Sequence, residues 1–321
     1  MRPRGAGIRT AMKSGSRLEH ILSRKEFAVT VEIAPTASAD PTEFLTTART
    51  IRGHADAFNV TDCPRALVKM SSLAGATLLL REGMEPVMQV TTRDRNRIAL
   101  QADILGAAAI GVRNVLCLRG DDPSLGNEKD AKPVFDLETE EFIETLRRLR
   151  DGGTLRGGDA VDTPPRLFIG ATSNPFGGDR EGAFVGLREK VKAGADFIQT
   201  QGIYDVDAFD EWMHLVRKEW LHEKVHILAG VIPLKSVKMA RFMNENVPGV
   251  TVPKDIIARL DRGSNAKAEG VQIAVEVITR LREIEGVSGV HIMAVNWDDA
   301  VRAIVKDAGL YPRPAIELRA T

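Results

Sequence analysis

Polar side chains follow several apolar, β-rich runs of the sequence, where each run gives way to a turn. Glu32 lies near the end of one run, Arg119 and Gly120 end another with Asp121 directly after it, and Gln201 ends a third. A carboxyl group can transfer a proton, a guanidinium can bind an anion bidentately, and an amide can both donate to and accept from the edge of a heterocycle. These residues are therefore candidates for proton transfer and for binding an anionic or heterocyclic ligand.

Each candidate also has a structural interpretation. Glu32 can be a paired structural carboxylate, since an unpaired buried carboxylate is unfavourable. Thr61 and Asp62 end a fourth run, where turn and cap chemistry alone would explain both residue types. An ion pair in a tight turn would explain Arg119 and Asp121. Position alone leaves these alternatives open.

The elements that must position these residues alternate between strands and helices from Phe27 onward, which is typical of repeated βα units with a parallel sheet. Helices are expected from about Ala66, Asn96 and Thr139. Eight strands are predicted, over residues 27–33, 56–61, 86–91, 114–120, 166–172, 196–201, 225–231 and 289–295. Eight is the strand number of a TIM barrel, so we predict an α/β fold with a single (β/α)8 barrel domain.

A doubly wound sheet is the main rival architecture because it alternates in the same way. It is disfavoured because no G-x-G-x-x-G follows any strand and no Walker motif occurs. In a barrel, residues 121–136 follow a strand and lie on the active face, whereas residues 152–165 follow a helix and form a surface loop. We expect an N-terminal extension over residues 1–24 and the barrel over residues 25–321.

The composition is that of a globular protein, with 43% hydrophobic and 27% charged residues. Lys plus Arg and Asp plus Glu both number 44, so no net charge attracts nucleic acid or an anionic membrane. No apolar run approaches the ~18 residues that a membrane helix needs. We therefore expect neither a nucleic-acid nor a membrane partner.

Two cysteines, Cys63 and Cys117, are too few for a disulfide framework or a zinc site, which fits a reducing cytoplasm. The six histidines show no metal-ligand spacing, and we predict no metal. His291 either faces the site or is a hydrogen-bonded barrel residue. The first residues are basic, and both a leader peptide and a simple extension stay open for them.

Five segments, in order, resemble the methylenetetrahydrofolate reductase family. They are FAVTVEIAP, NVLCLRGDDP, TQGIYD, GVIPLKS and GVHIMAVNWDDA. The resemblance extends from Phe27 to Pro314, and five ordered matches are far more specific than one. Residues 70–123 are most similar to the short, single-domain form found in acetogens and related prokaryotes.

The resemblance implies FAD at the barrel mouth and a tetrahydrofolate one-carbon substrate, 5,10-methylenetetrahydrofolate, whose methylene carbon receives a hydride. Glu32 matches the family's general acid, which protonates a folate nitrogen. Asp121 matches a carboxylate beside the flavin, and Gln201 matches the amide that binds the pterin. Flavin contacts are matched by Thr61, Arg119, Gly120 and Lys190.

The sequence departs from the enterobacterial form at Thr172, Phe176 and Val237, where that form has residues that contact its ligands. Asn174 either bonds a flavin edge or caps a turn. The departures leave the electron donor open between NAD(P)H and a partner redox protein. We expect a homo-oligomer or a subunit of a complex. The alternatives are a flavin barrel that oxidises an amino acid such as proline, and a catalytically silent barrel in a one-carbon or methyltransferase complex.

Overall fold

Eight parallel strands close into a barrel in the computed structural model, which describes residues 12–178, 180–263 and 265–316. The strands are β1 (Ala28–Ile33), β2 (Ala57–Val60), β3 (Pro86–Thr91), β4 (Asn114–Leu118), β5 (Phe168–Ser173), β6 (Phe197–Gly202), β7 (His226–Val231) and β8 (Val287–Ile292). Each strand pairs with the next, and β8 pairs with β1 to close the sheet. The predicted (β/α)8 barrel is confirmed.

Helices connect the strands and surround the barrel. They are α1 (Arg17–Ser23), α2 (Thr42–Thr50), α3 (Ser72–Arg81), α4 (Arg97–Ala109), α5 (Thr139–Gly152), α6 (Arg180–Ala193), α7 (Val206–Lys218), α8 (Val237–Asn246), α9 (Lys254–Arg262), α10 (Ala266–Leu281) and α11 (Asp299–Asp307). The prediction that α3 starts near Ala66 is wrong. Ala66 has a left-handed φ of 54°, and α3 begins only after Ser71, whose hydroxyl caps the N–H of Ala74.

The strands are near-continuous apolar runs because both faces of the closed sheet are covered. Outward-facing residues pack under the helices, and inward-facing residues fill the lower half of the barrel. That lower layer consists of Ala28, Ala57, Val87, Leu116, Phe168, Phe197 and Leu228. Gly170 leaves room for a ring here, since a Cβ at this position would lie 2.2 Å from Cζ of Phe197.

Helix α1 closes the lower, N-terminal end of the barrel. Its Leu18, Ile21 and Leu22 pack against the lower layer. The half-buried carboxylate of Glu85 accepts hydrogen bonds from the first backbone N–H groups of α1, at Arg17 (2.5 Å) and Leu18 (2.9 Å). Residues 1–11 of the expected extension lie outside the described residues, and the boundary at residue 24 stays a prediction.

Asp56 links the start of α1 to the segment after α11 beneath the barrel. Its carboxylate contacts the guanidinium of Arg313 at 2.6 Å and that of Arg17 at 3.2 Å, and accepts from the N–H of Val29 at 2.8 Å. Arg17 also donates to the carbonyl of Pro314. The Asp56 side chain is fully buried. The lower end is thus apolar and held by ion pairs, which leaves the upper end for chemistry.

Candidate active site

The predicted residues at strand ends lie on one rim of the barrel. Glu32 is in β1, Thr61 follows β2, Asp121 follows β4 and Gln201 is in β6. Because all strands run parallel, their carboxyl ends meet at the same face, where barrel enzymes place their active sites.

The carboxyl group of Glu32 has a raised pKa. Burial raises the pKa of its carboxyl group to about 7, a hydrogen bond with Gln89 opposes the rise, and the negative charge of Asp298 adds to it. The side chain keeps 27% of its surface exposed at the mouth. A carboxyl with a pKa near 7 can hold or release a proton under ordinary conditions, as a general acid requires.

A polar layer lies inside the barrel beneath Glu32. Nε2 of His291 lies 4.0 Å from Oε2 of Glu32, and its Nδ1 lies 3.0 Å from Oγ1 of Thr30. Gln199 donates to Thr30 and exchanges two hydrogen bonds with Asn59 across the barrel. Burial lowers the pKa of His291 to about 3, so the imidazole is neutral.

Sequence reasoning had left His291 open and missed Asn59 and Gln199. The signal was present as polar residues at alternate positions of strands that are otherwise apolar, in VTVEI, FNV, IQTQ and GVHI. Alternate residues of a strand face the same side, and a polar residue facing a closed barrel needs a polar partner there.

Thr61 and Asp62 have different surroundings. The hydroxyl of Thr61 is buried and has no hydrogen-bond partner among the described residues. Asp62 accepts from the N–H and hydroxyl of Thr91 and pairs with Arg95 at 2.7 Å. Asp62 therefore has a structural role, through contacts with β3 and the loop after it rather than through a local turn, whereas Thr61 keeps a polar group free for a ligand.

The end of β4 combines a constrained glycine with two charged side chains. Gly120 has a φ of 87°, and a Cβ there would lie 3.0 Å from Cβ of Arg93 and 3.1 Å from Cβ of Thr91. The fold itself thus requires glycine. The Arg119 guanidinium stacks over the ring of Phe135 at 3.9 Å and lies 3.5 Å from the exposed carboxylate of Glu138. It is 55% exposed, so it can exchange this surface partner for another anion.

Asp121 contacts the loop after β2. Its Oδ2 accepts the backbone N–H of Arg65 at 2.8 Å. That loop has left-handed φ values at Cys63, Arg65 and Ala66, which non-glycine residues adopt only when neighbouring structure holds them. Gly126 packs against the loop, since a Cβ there would lie 1.9 Å from the carbonyl oxygen of Ala66. The two loops therefore form one unit.

Gln201 lies at a bulge in the pairing of β6 with β7. Four residues of β6, from Gln199 to Gly202, lie opposite three residues of β7, from Leu228 to Gly230. The extra residue changes which way the following side chains point. The side-chain oxygen of Gln201 accepts the N–H of Gly202 at 2.9 Å, which leaves its amide NH₂ available for a ligand.

Asn174 and Lys190 contact their own surroundings near the end of β5. The Asn174 amide donates to the carbonyl of Pro248 at 3.1 Å and accepts from the N–H of Phe176, as a turn cap does. Lys190 extends from α6 and donates to the carbonyl of Thr172 at 3.0 Å. Burial lowers the pKa of its ammonium group. Flavin contacts of both residues stay predictions.

No group of three or more His, Cys, Asp and Glu side chains among the described residues is arranged to hold a metal ion. No helix among these residues is long and apolar enough to cross a membrane.

Comparison with known proteins identifies the family. The profile described as methylenetetrahydrofolate reductase matches residues 17–309. The chain belongs to this family. A methylenetetrahydrofolate reductase 2 of Schizosaccharomyces pombe is 26% identical over 235 residues, which cover 70% of this chain and 35% of the yeast protein. A methylenetetrahydrofolate reductase (NADH) 1 of Arabidopsis thaliana is 27% identical over 208 residues, covering 62% of this chain and 34% of the plant protein.

The chain spans about a third of the length of these relatives of the methylenetetrahydrofolate reductase family. Among solved structures, an uncharacterized protein from Clostridium thermocellum that binds two copies of 5-methyl-5,6,7,8-tetrahydrofolic acid has a similar fold. Its TM-score is 0.62 at 15% identity, covering 90% of this chain and 98% of that protein. The predicted membership of the methylenetetrahydrofolate reductase family is confirmed.

Proposed function

We propose that this chain is a flavin-dependent methylenetetrahydrofolate reductase, which interconverts 5,10-methylenetetrahydrofolate and 5-methyltetrahydrofolate. The observation that carries the proposal is Glu32, an acid with a pKa raised to about 7 at the mouth of a barrel of this family. The names of the relatives support the reaction, and the methyl-folate ligand of the clostridial protein supports the substrate class.

The residues at the mouth fit FAD. Thr61 has a buried hydroxyl without a partner among the described residues, and a flavin edge offers one. Lys190 and the exposed Arg119 are cations suited to a pyrophosphate, and a phosphate would compensate the desolvated ammonium of Lys190. When bound, reduced FAD supplies the hydride.

Glu32 supplies the proton in this proposal. Its carboxyl oxygen delivers a proton to a folate nitrogen, so that the five-membered ring of the folate opens to a cationic iminium. Because the pKa of Glu32 is about 7, the protonated form is well populated near neutrality. The neutral imidazole of His291 faces the carboxyl and does not compete as a charged acid.

Asp121 and Gln201 complete the proposed site. The carboxylate of Asp121 stabilises the cationic iminium electrostatically. The NH₂ group of Gln201 binds an acceptor of the pterin, since its oxygen is already bonded to Gly202. Electrons come from NAD(P)H or a partner redox protein; relatives are named for NADH and for NADPH.

A silent barrel subunit is the competing function. Glu32, Asp121 and Gln201 occur together on the active rim, and a subunit without chemistry does not need a carboxyl with a pKa of about 7. The visible spectrum of the purified protein separates the two, because a silent subunit need not carry flavin.

The test is a half-reaction experiment with the FAD-loaded enzyme under anaerobic conditions. Reduced enzyme is mixed with 5,10-methylenetetrahydrofolate, and flavin reoxidation and 5-methyltetrahydrofolate are measured. In Glu32→Gln, reoxidation should slow by the ~10²–10⁴-fold typical of losing a general acid, while flavin reduction by the donor survives. Glu43→Gln, at an exposed carboxylate on α2, is the control. Wild-type enzyme that forms no methyl-folate, or a Glu32→Gln variant that slows both half-reactions equally, would contradict the proposal.

A further inference from the structure

An amide pair spans the inside of the barrel. Asn59 in β2 and Gln199 in β6 are both buried, with exposed fractions of 0% and 1%. Nδ2 of Asn59 donates to Oε1 of Gln199 at 2.7 Å, and Nε2 of Gln199 donates to Oδ1 of Asn59 at 3.0 Å. Each amide thus fixes the orientation of the other.

The second hydrogen of the Gln199 amide goes to Thr30. Nε2 of Gln199 lies 3.0 Å from Oγ1 of Thr30, so the hydroxyl oxygen accepts this bond. The hydroxyl hydrogen can then point to Nδ1 of His291 at 3.0 Å or to the carbonyl of Val290 at 3.4 Å. Hydrogen bonds of hydroxyl groups are normally shorter than about 3.0 Å, so the imidazole is the better acceptor.

The direction of the hydrogen bond from the Thr30 hydroxyl to His291 determines the tautomer of His291. A neutral imidazole carries one hydrogen, on one of its two nitrogens. If Nδ1 accepts the Thr30 hydroxyl, the hydrogen is on Nε2. That nitrogen lies 4.0 Å from Oε2 of Glu32, beyond hydrogen-bond length but facing the carboxyl.

We infer that Asn59 and Gln199 are positioning residues that fix the Nε2–H tautomer of His291. The imidazole then presents a donor to Glu32, so the carboxyl cannot give its own proton to His291. The acid proton is directed into the barrel mouth. This last step rests on the proposed role of Glu32, whereas the tautomer does not.

The alternative is that both amides are rotated, which would reverse the direction of the hydrogen bonds that connect Gln199 through Thr30 to His291. Rotation of both amides would keep their two mutual hydrogen bonds but present Oε1 of Gln199 to Thr30. The hydroxyl would then donate to Gln199 and accept from Nδ1–H of His291. In that arrangement the nitrogen facing Glu32, Nε2, would carry no hydrogen. The two arrangements differ in one observable, the nitrogen that carries the hydrogen.

The experiment is ¹H–¹⁵N NMR of ¹⁵N-histidine-labelled protein without added substrate at about pH 6, where His291, whose pKa burial lowers to about 3, is neutral and Glu32, whose pKa is about 7, is largely protonated. His291→Gln assigns the signals of His291 by their loss. We expect a protonated Nε2 and an unprotonated Nδ1. A protonated Nδ1 in the wild-type protein overturns the inference. Since no substrate or turnover is involved, the result is independent of whether the protein reduces folate.

Three variants test which residues set the tautomer. Thr30→Ser keeps the hydroxyl and should keep the wild-type spectrum. Thr30→Val removes the donor to Nδ1, and Gln199→Leu releases the hydroxyl of Thr30, so in both the Nδ1 signal of His291 should shift toward the protonated position. Unchanged signals in a folded Gln199→Leu protein overturn the role of the amide pair. If Gln199→Leu does not fold, Gln199→Met, which is of similar size and also lacks the amide donor, takes its place, and the wild-type spectrum still tests the tautomer.

Discussion

Asp121 holds Arg65 through the backbone: its Oδ2 lies 2.8 Å from the N–H of Arg65 in the loop after β2. Arg93 reinforces the same junction, because its guanidinium donates to the carbonyls of Asp121 and Cys63 at 3.3 Å. The Asp121 side chain therefore has two functions that mutation can separate. Its oxygen atom holds the loop after β2 in place, and its negative charge lies at the barrel mouth, where the carboxyl ends of the strands meet.

We expect Asp121→Asn and Asp121→Ala to differ. Asn keeps an oxygen acceptor for the N–H of Arg65 but lacks the charge, so the protein should bind flavin and reduce folate more slowly. Ala also loses the acceptor, and an unsatisfied N–H or a loosened loop should lower the free energy of unfolding by about 1 kcal/mol further. Stopped-flow folate reduction and denaturant unfolding measure the two effects. Equal rates of folate reduction in the Asp121→Asn variant and the wild type would exclude an electrostatic role of Asp121.

The arrangement of strands was predictable because it depends on local patterns. All eight strands were predicted to within a few residues, since β-rich runs alternate with helical ones. The contacts that define the site were not predictable from the sequence. Asn59 and Gln199 are 140 residues apart and meet only because β2 and β6 face each other across the barrel. The spacing of residues in a sequence carries no information on such a contact.

Local backbone conformation explains two further differences. The left-handed residues after β2 delay α3 to Ser72, and their types, Cys63, Arg65 and Ala66, do not favour that conformation. The close packing of Gly120 against Thr91 and Arg93 is the second feature that the sequence does not specify, and the predicted flavin contact of Gly120 stays a prediction. Both features depend on contacts between loops, which no single segment specifies.

Lys190→Met should weaken FAD binding with only a small effect on the stability of the ligand-free protein. Burial disfavours the charge of the Lys190 ammonium, and Lys190 makes no ion pair with the described residues, so the substitution removes only the hydrogen bond to the carbonyl of Thr172. Loss of a charge-assisted hydrogen bond to phosphate corresponds to about 1.5–3 kcal/mol, or roughly 10–100-fold in Kd. Isothermal titration with FAD measures the change. Lys192→Met, with an exposed side chain on the same helix, is the control and should bind normally.

Asp56→Ala should be among the most destabilising changes outside the core. It leaves the guanidinium of Arg313, which is only 5% exposed, buried without its partner carboxylate. Breaking a buried pair in this way costs about 3–5 kcal/mol of unfolding free energy. Denaturant unfolding measures it. The control is Glu82→Ala, which removes contacts with exposed Arg49 and Arg52 and should have a much smaller effect. Similar losses in both variants would mean that Asp56 does not secure the link between α1 and the segment after α11.

The pKa of Glu32 can be measured through stability, without any activity assay. An unfolded glutamate ionises with a pKa of 4.5, and the folded one with a pKa of about 7. Below pH 4.5 Glu32 is protonated in both the folded and the unfolded state, so its ionisation does not affect the free energy of unfolding. As the pH rises from 4.5 toward 7, Glu32 ionises in the unfolded state first, and the free energy of unfolding falls. The loss is at most about 3 kcal/mol, reduced by the water that reaches the exposed part of the side chain. Glu32→Gln cannot ionise, so it should be more stable than the wild type at pH 8 and similar at pH 4.5. Unfolding free energies of both proteins across this range check the expectation, and a difference that does not vary with pH would show that Glu32 has an ordinary pKa.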